Sequence, residues 1–345
     1  GYWGFPHFEK MLYDRGQLLS VSARAYRLTG NEEYRRVAEE MIAFLEREML
    51  APGGGFYAAL DAESEGEEGK FQRWEKEEIR GLLSEAEYAL FAPVYGLEGE
   101  PNFEEKYYVP QMAKSRKSLA EERGLSEAEL EAQLGPIREK LLAARNKRVK
   151  PLTDVKVLTS WNGLMITGLA DAGRLLEEPR YTQLAARAAD FVLTELREEE
   201  TGRLLRTHTS GKAKLNAYLD DYAFLIEGLL ALHAAEGDAK RLAQAEELMK
   251  LQLELFADED RGGFYFTSDD HESLIARAKN PIDGALPAGG SVAAQNLLRL
   301  AALSKNDTYR KKAESTLNSI GGLLARLPSA APRMAIVVEE TMNDE

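Results

Sequence analysis

The chain has 345 residues, 44% of them hydrophobic, and carries 44 lysines and arginines against 58 aspartates and glutamates, for a net charge of −14. That balance argues against general nucleic-acid binding, which needs cations to displace counterions from phosphates, and against adhesion to anionic membranes; no apolar run approaches the ~18 residues of a membrane span. The absence of cysteine excludes disulfides, thiol nucleophiles, iron–sulfur clusters and cysteine-based zinc sites within this chain.

The length suits two ordinary domains or one large toroid. The chain opens at Gly1 on a Trp3-Gly4-Phe5-Pro6 turn, with no targeting signal visible, so the expected location is the cytoplasm. A first helix is expected over about 8–28. It starts in His7-Phe8-Glu9-Lys10-Met11-Leu12-Tyr13-Asp14, which sets one of only four histidines beside a tyrosine and two carboxylates. The turn Thr29-Gly30-Asn31 leads into a second helix through Ala38, Met41, Ile42 and Leu45. A divergent pair is expected over about 84–95 and 126–146. The segment between, about 97–125, carries Pro101, Pro110, Lys114, Arg116, Lys117 and Arg123 and is read as a solvated surface excursion. Helices over about 162–176, 219–235 and 288–303 follow. Each is followed by a polar turn and a partner helix with apolar residues three or four apart. Asn31, Asp238 and Asp307 stand where N-caps belong.

Three partner helices run into similar tails: Gly53-Gly54-Gly55-Phe56-Tyr57, Thr201-Gly202-Arg203-Leu204-Leu205 and Arg261-Gly262-Gly263-Phe264-Tyr265-Phe266. Glycine stops the helix and a short extended piece follows. The pattern gives about ten helices in five hairpins. It predicts a single all-α domain over residues 1–345, an (α/α)6-type toroid with short β-like hairpin ends and its first hairpin missing.

Five strings in order carry a resemblance: Pro6-His7-Phe8-Glu9-Lys10-Met11-Leu12-Tyr13-Asp14, Gly55-Phe56-Tyr57-Ala58-Ala59-Leu60-Asp61-Ala62-Glu63-Ser64-Glu65-Gly66, Leu158-Thr159-Ser160-Trp161-Asn162-Gly163-Leu164-Met165, Tyr218-Leu219-Asp220-Asp221-Tyr222-Ala223-Phe224, and Asp283-Gly284-Ala285-Leu286-Pro287. Together they resemble the helical region of the thioredoxin-domain-containing, spermatogenesis-associated protein 20 family. The resemblance implies a helical toroid related to six-hairpin glycosidases and sugar 2-epimerases, preceded in the family by a thioredoxin-like domain. That domain and its cysteines are absent from this chain, so a redox role is not expected of it alone, and the thioredoxin-like domain is its expected partner.

The candidate chemistry is carbohydrate chemistry. Glycoside hydrolysis needs one protonated carboxyl and one base or nucleophile. Asp220 or Asp221, at a helix start, is the preferred partner of Asp61 or Glu63. One of the adjacent aspartates is expected to cap the helix while the other faces the funnel. A sugar ring is expected to rest on Trp161 with its hydroxyls on Asn162. Glu9, Tyr13, Tyr57, Tyr222, Asp283 and Ser291 are further candidate binding residues, and Trp3, Trp74 and Tyr265 further aromatic platforms. An alternative is a sugar isomerase or 2-epimerase with His7 as base; a third reading is a non-catalytic binding or scaffold module. Asp61-Ala62-Glu63-Ser64-Glu65-Gly66 mimics the start of a calcium loop, but the twelfth position is Gln72 and not glutamate. No metal or cofactor is expected. The glycine-rich Asp283–Ser291 stretch lacks a phosphate-loop lysine but can offer N–H groups to an anion.

Overall fold

The computed structural model describes residues 7–112, 114–271 and 276–343, so Trp3 and its turn lie outside the described residues. Thirteen α-helices are present among them: α1 (Leu12–Thr29), α2 (Glu32–Glu48), α3 (Lys76–Leu82), α4 (Glu85–Val94), α5 (Arg116–Glu122), α6 (Glu127–Arg145), α7 (Thr159–Leu175), α8 (Pro179–Glu195), α9 (Leu219–Glu236), α10 (Ala239–Phe256), α11 (Gly289–Ser304), α12 (Asp307–Arg326) and α13 (Pro332–Asn343). The protein is all-α in class, and every helix expected from periodicity is found within a few residues of its expected bounds. Three further helices, α3, α5 and α13, went unread because two are only seven residues long and the third lies beyond the last repeat. None of the described helices is long and apolar enough to cross a membrane.

The chain divides into two compact units. The first comprises the residues up to Lys10 and Leu60–Thr153; the second comprises Met11–Ala59 and Asp154–Glu345.

The second unit holds the repeat. Helices α1, α7, α9, α11 and α13 pack side by side in that order, while α2, α8, α10 and α12 each back onto their own hairpin partner. Helix starts follow local chemistry. Asn31 and Asp238 accept hydrogen bonds from the N–H groups of Glu33 and Lys240. In the fourth hairpin Asn306, not Asp307, is the cap and accepts from Thr308. Helix α7 is buried nearly all round, because neighbours press on it from both sides and from behind. Such a row demands close approach. A Cβ on Gly16 would meet the Leu164 backbone at 2.7 Å, and one on Gly168 would collide with the Gly16 carbonyl. Two buried carboxylates tie the row further along. Asp171 of α7 accepts from Ser20 and Arg24 of α1 at 2.6 and 2.8 Å, and Glu227 of α9 pairs with Arg333 of α13.

The three glycine tails form one device repeated. Each closes a tight loop by a single antiparallel bridge, Leu50 with Phe56, Arg197 with Leu204 and Ala257 with Phe264. Equivalent backbone bonds recur in each, such as Ala51 N–H to Gly55 O at 2.8 Å, Glu198 N–H to Arg203 O at 2.9 Å and Asp258 N–H to Gly263 O at 3.0 Å. Gly54, Gly202 and Gly262 have positive φ, 106°, 70° and 72°, the left-handed region open to glycine. The second tail extends into an antiparallel hairpin, Leu205–Thr209 with Lys212–Asn216, and Val157–Leu158 joins its edge.

In the first unit, α3, α4 and α6 pack around Trp74, Ile79, Phe91, Leu97, Tyr108 and Ile137. The 97–125 segment is not a solvated excursion. Its helix α5 buries Leu119 and Ala120 against Val94, Leu130 and Leu134, and the buried Arg116 side chain pairs with Glu131. Basic residues in the stretch concealed that apolar face.

Candidate functional site at the helix starts of the second unit

The starts of α1, α7, α9 and α11 gather several of the expected residues. Asp221 is the capping member of the aspartate pair. It is fully buried, and its two oxygens accept from Ser160 N–H and Tyr218 N–H, both at 2.9 Å. The Arg206 guanidinium stands 3.5 Å away. Burial pushes the Asp221 carboxyl up, against the pull of Arg206 and the amides. Those bonds consume both oxygens, so Asp221 holds the start of α9 to the start of α7.

Asp220 has a different setting. It accepts a hydrogen bond from the backbone N–H of Gly289, the first residue of α11. The anion at that helix start is therefore the protein's own carboxyl. A side chain at position 289 would collide with it, since a Cβ there would stand 2.1 Å from Asp220 Oδ1. Burial first, and then the charge of Asp221, raise the Asp220 carboxyl to about 7. Arg206 and the Gly289 amide oppose the rise without cancelling it. A carboxyl that titrates near neutrality can both give and take a proton at physiological pH.

The same helix starts, and the loops beside them, carry aromatic and polar groups. Trp161, half-buried, meets Tyr13 edge to face at 4.9 Å. Gln17 donates to the Tyr13 and Ala285 carbonyls at 3.1 and 2.9 Å, tying α1 to the loop before α11. Arg206 lies over the Tyr218 ring at 4.7 Å. Tyr218 in turn stacks on Phe266 and meets His271, each at 4.9 Å. His271 reads in sequence as an exposed loop residue, yet it is partly buried. The Ser268 hydroxyl donates to Asp270. With its single proton spent there, it must accept from His271 Nδ1 at 2.6 Å. Arg206, Tyr218 and His271 join the site because the second tail's hairpin and the third tail's loop fold toward α9, which no local pattern announces.

Other expected ligand residues have structural duties. Asn162 is fully buried. Its side-chain amide accepts from Phe56 N–H at 2.8 Å and donates to Phe56 O and Leu158 O at 3.1 and 3.0 Å. It pairs with the Phe56 peptide as a strand neighbour would, leaving nothing for a sugar. Tyr222, at the equivalent fourth position of α9, is also buried, and its hydroxyl accepts from Leu204 N–H at 2.9 Å. Both residues fasten a glycine tail to the next inner helix, which corrects their reading as substrate contacts. Replacing Asn162 by leucine should therefore cost about 2–4 kcal/mol, because the Phe56 N–H, the Phe56 carbonyl and the Leu158 carbonyl lose its side chain as a partner in a dry interior; chemical denaturation of the variant checks this.

Asp283 is a bracket rather than a ligand, since its oxygens accept from Ala288 N–H and Arg333 N–H, both at 2.7 Å. Ser291 is buried and lines a small cavity of about 30 Å³ beside Thr316 and Ser319. Tyr57 is half-buried in the first tail and its N–H binds Met49 O at 2.8 Å.

His7, Glu9, Asp61 and Glu63 belong to the first unit, and all four are exposed. Asp61 accepts from Glu63 N–H at 3.1 Å. The calcium-like string is a β-hairpin that pairs Glu63 with Glu68, turning through Glu65 and Gly66 at φ 55° and 76°. Among the described residues no group of three or more histidines and carboxylates is arranged to hold a metal ion.

In class, the fold is the (α/α) toroid type seen in solved sugar-epimerase structures. Cellobiose 2-epimerase from Spirochaeta thermophila matches with a TM-score of 0.57 and 11% identity, over 93% of this chain and 61% of that one. The Bacillus thermoamylovorans cellobiose 2-epimerase matches at 0.55 with 12% identity, over 90% and 61%. No family model matches the chain. By sequence it belongs with spermatogenesis-associated protein 20. It is 33% identical to the human protein of that name over 96% of this chain and 46% of the relative, and 34% identical to the mouse protein over the same shares. An uncharacterized Caenorhabditis elegans protein is 32% identical over 97% and 50%. The chain thus spans about half the length of the curated relatives it matches, and the family resemblance carried by the five strings is borne out.

Proposed function

We propose that the protein acts on sugars, with Asp220 as the proton-transferring carboxyl and the Tyr13–Trp161 pair as the platform for a sugar ring. The carrying observation is the Asp220 carboxyl poised at about 7 between Asp221 and the start of α11. In a glycoside hydrolase-like reaction it protonates the departing glycosidic oxygen, the step that requires a carboxylic acid held protonated near neutral pH, while water adds to the anomeric carbon and gives its proton to solvent. Trp161 offers an indole face to the apolar C–H face of a sugar, and Arg206 offers donors to its hydroxyls.

A second reading, sugar isomerisation or 2-epimerisation, is favoured by the partly buried His271 that shares Tyr218 with Arg206 and by the epimerase-type fold. Here Asp220 or His271 takes the proton from the carbon beside the carbonyl. His7, the base expected from sequence, is an exposed residue of the first unit and is not assigned that step.

One experiment separates the readings. A panel of glycosides and free sugars is incubated in D₂O with the wild-type chain and with Asp220→Asn. Cleaved glycosides mark a hydrolase, and deuterium at C2 of a free sugar marks an isomerase or epimerase. Either signal should vanish in the variant. No turnover by the wild type on any substrate, or full turnover by Asp220→Asn, rejects the catalytic role of Asp220; the first outcome returns the chain to the binding-module reading.

A further inference from the structure

The loop from Asp283 to Ala288, in the second unit, is tied down along its length. The Asp283 N–H donates to Ala330 O at 2.9 Å, and the Ala285 carbonyl accepts from Gln17 of α1 at 2.9 Å. The two Asp283 carboxylate oxygens accept from Ala288 N–H and Arg333 N–H, each at 2.7 Å. Ala288 is the residue before α11, and its carbonyl takes the Ser291 and Val292 N–H groups of the first turn at 2.9 and 3.2 Å. Asp283 therefore sets where and in which direction α11 begins. The next N–H along the chain, that of Gly289, is the one that Asp220 accepts.

A second route joins the same residues. Arg333, whose N–H Asp283 holds, sends its guanidinium to the buried Glu227 of α9 and to Gln295 of α11. Helix α9 carries Asp220 in its first turn. The path from Asp283 through Ala288 and Gly289 to Asp220, and back along α9 through Glu227 and Arg333, closes on itself. The Gly289 N–H is thus aimed at Asp220 from both ends of that path. A carboxylate accepting two main-chain N–H groups makes charge-assisted bonds, about twice as strong as neutral ones, and a preorganised donor needs such support behind it. We propose that Asp283 is a positioning residue for Asp220, acting through the Gly289 N–H that its bond to Ala288 holds in place. Its effect on turnover rests on the reading of Asp220 as the proton-transferring group; the hydrogen-bond relay stands without that reading. Asp221 and Arg206 also act on Asp220, and substitution of Asp283 leaves both in the chain.

The test follows the Gly289 amide and the Asp220 carboxyl by NMR as pH is raised through neutrality, in the whole wild-type chain, in Asp283→Ala and in Asp283→Ser, which is too short to bridge two amides. In the wild type the Gly289 proton should shift with the Asp220 titration. In both variants that response should be lost, and the Asp220 midpoint should rise by about one unit, the worth of one amide hydrogen bond to the ionised form. A Gly289 proton that still follows Asp220 in a variant shown to be folded by circular dichroism would overturn the proposal. Unfolding of both variants would overturn it as well, since Asp283 would then be an element of the fold alone. Turnover separates this proposal from the sugar-directed reading. With an active wild type, both variants should lose about tenfold in kcat with KM nearly unchanged, the mark of a misplaced catalytic group. An inactive wild type would sink the sugar-directed reading, and the Gly289 response would still decide the role of Asp283.

Discussion

Replacing Asp220 by asparagine is expected to abolish turnover and to stabilise the protein above neutral pH. Burial and Asp221 make ionisation of Asp220 unfavourable in the folded state and raise its carboxyl to about 7, from the ordinary 3.8. The folded protein therefore holds a proton there that the unfolded chain releases. Between about pH 4 and pH 7 the folded state binds more protons, so stability falls as pH rises through that window and levels off above it. Each pKa unit corresponds to about 1.4 kcal/mol, which makes ~4 kcal/mol the ceiling for the cost of ionisation. Asparagine keeps an acceptor for the Gly289 N–H and carries no charge. A gain of about 1–3 kcal/mol at pH 8, shrinking to little at pH 4.5, is expected. Urea denaturation at the two pH values measures it. A variant that is equally destabilised at both pH values would show that Asp220 is an ordinary structural carboxylate.

The second large effect is expected at Gly163. This glycine of α7 faces the backbone of α9, and a Cβ added to it would stand 2.5 Å from the carbonyl carbon of Phe224 and 2.6 Å from Leu225 N. Those neighbours are main-chain atoms of a buried helix and cannot rotate away. Alanine normally improves a helix by ~1 kcal/mol over glycine, so the sign is set by whether α7 and α9 can separate. Gly228 of α9 also lies against α7, with a Cβ position only 3.0 Å from the Gly163 carbonyl, so the close approach of the two helices depends on both glycines. Gly163→Ala should cost about 3 kcal/mol or more and lower the melting temperature by roughly 10 °C. Gly321→Ala in α12 is the control, because nothing lies within 4 Å of a Cβ there. It should stabilise by about 0.5–1 kcal/mol. A harmless Gly163→Ala would mean that the inner helices are less tightly set than these contacts require.

The helical repeat was legible because its signals are local. Apolar spacing marks the helices, Asn31 and Asp238 mark their starts, and Gly54, Gly202 and Gly262 mark the tails. The first unit was harder to read because α3 and α5 are two-turn helices among charges, and Arg116 looks like a surface residue until its partner Glu131 is seen. At the site, the sequence suggests that one member of the Asp220-Asp221 pair caps the helix, and that member is Asp221. The assignment followed only from contacts distant in sequence: Ser160 N–H on Asp221 and Gly289 N–H on Asp220. Asn162 and Tyr222 misled because a polar residue at a helix start looks alike whether it meets a ligand or a neighbouring peptide. Only the position of the tails, brought in from Phe56 and Leu204, decides between them. Arg206, Tyr218 and His271 left no joint signal, since three separate segments supply them.

The most direct test is the titration of the Asp220 side-chain carboxyl, followed by carbon-detected NMR in labelled protein and assigned by its disappearance in Asp220→Asn. A midpoint at about 7 is expected. A midpoint of about 4, that of an ordinary aspartate, would contradict it and remove Asp220 from the proton-transfer step.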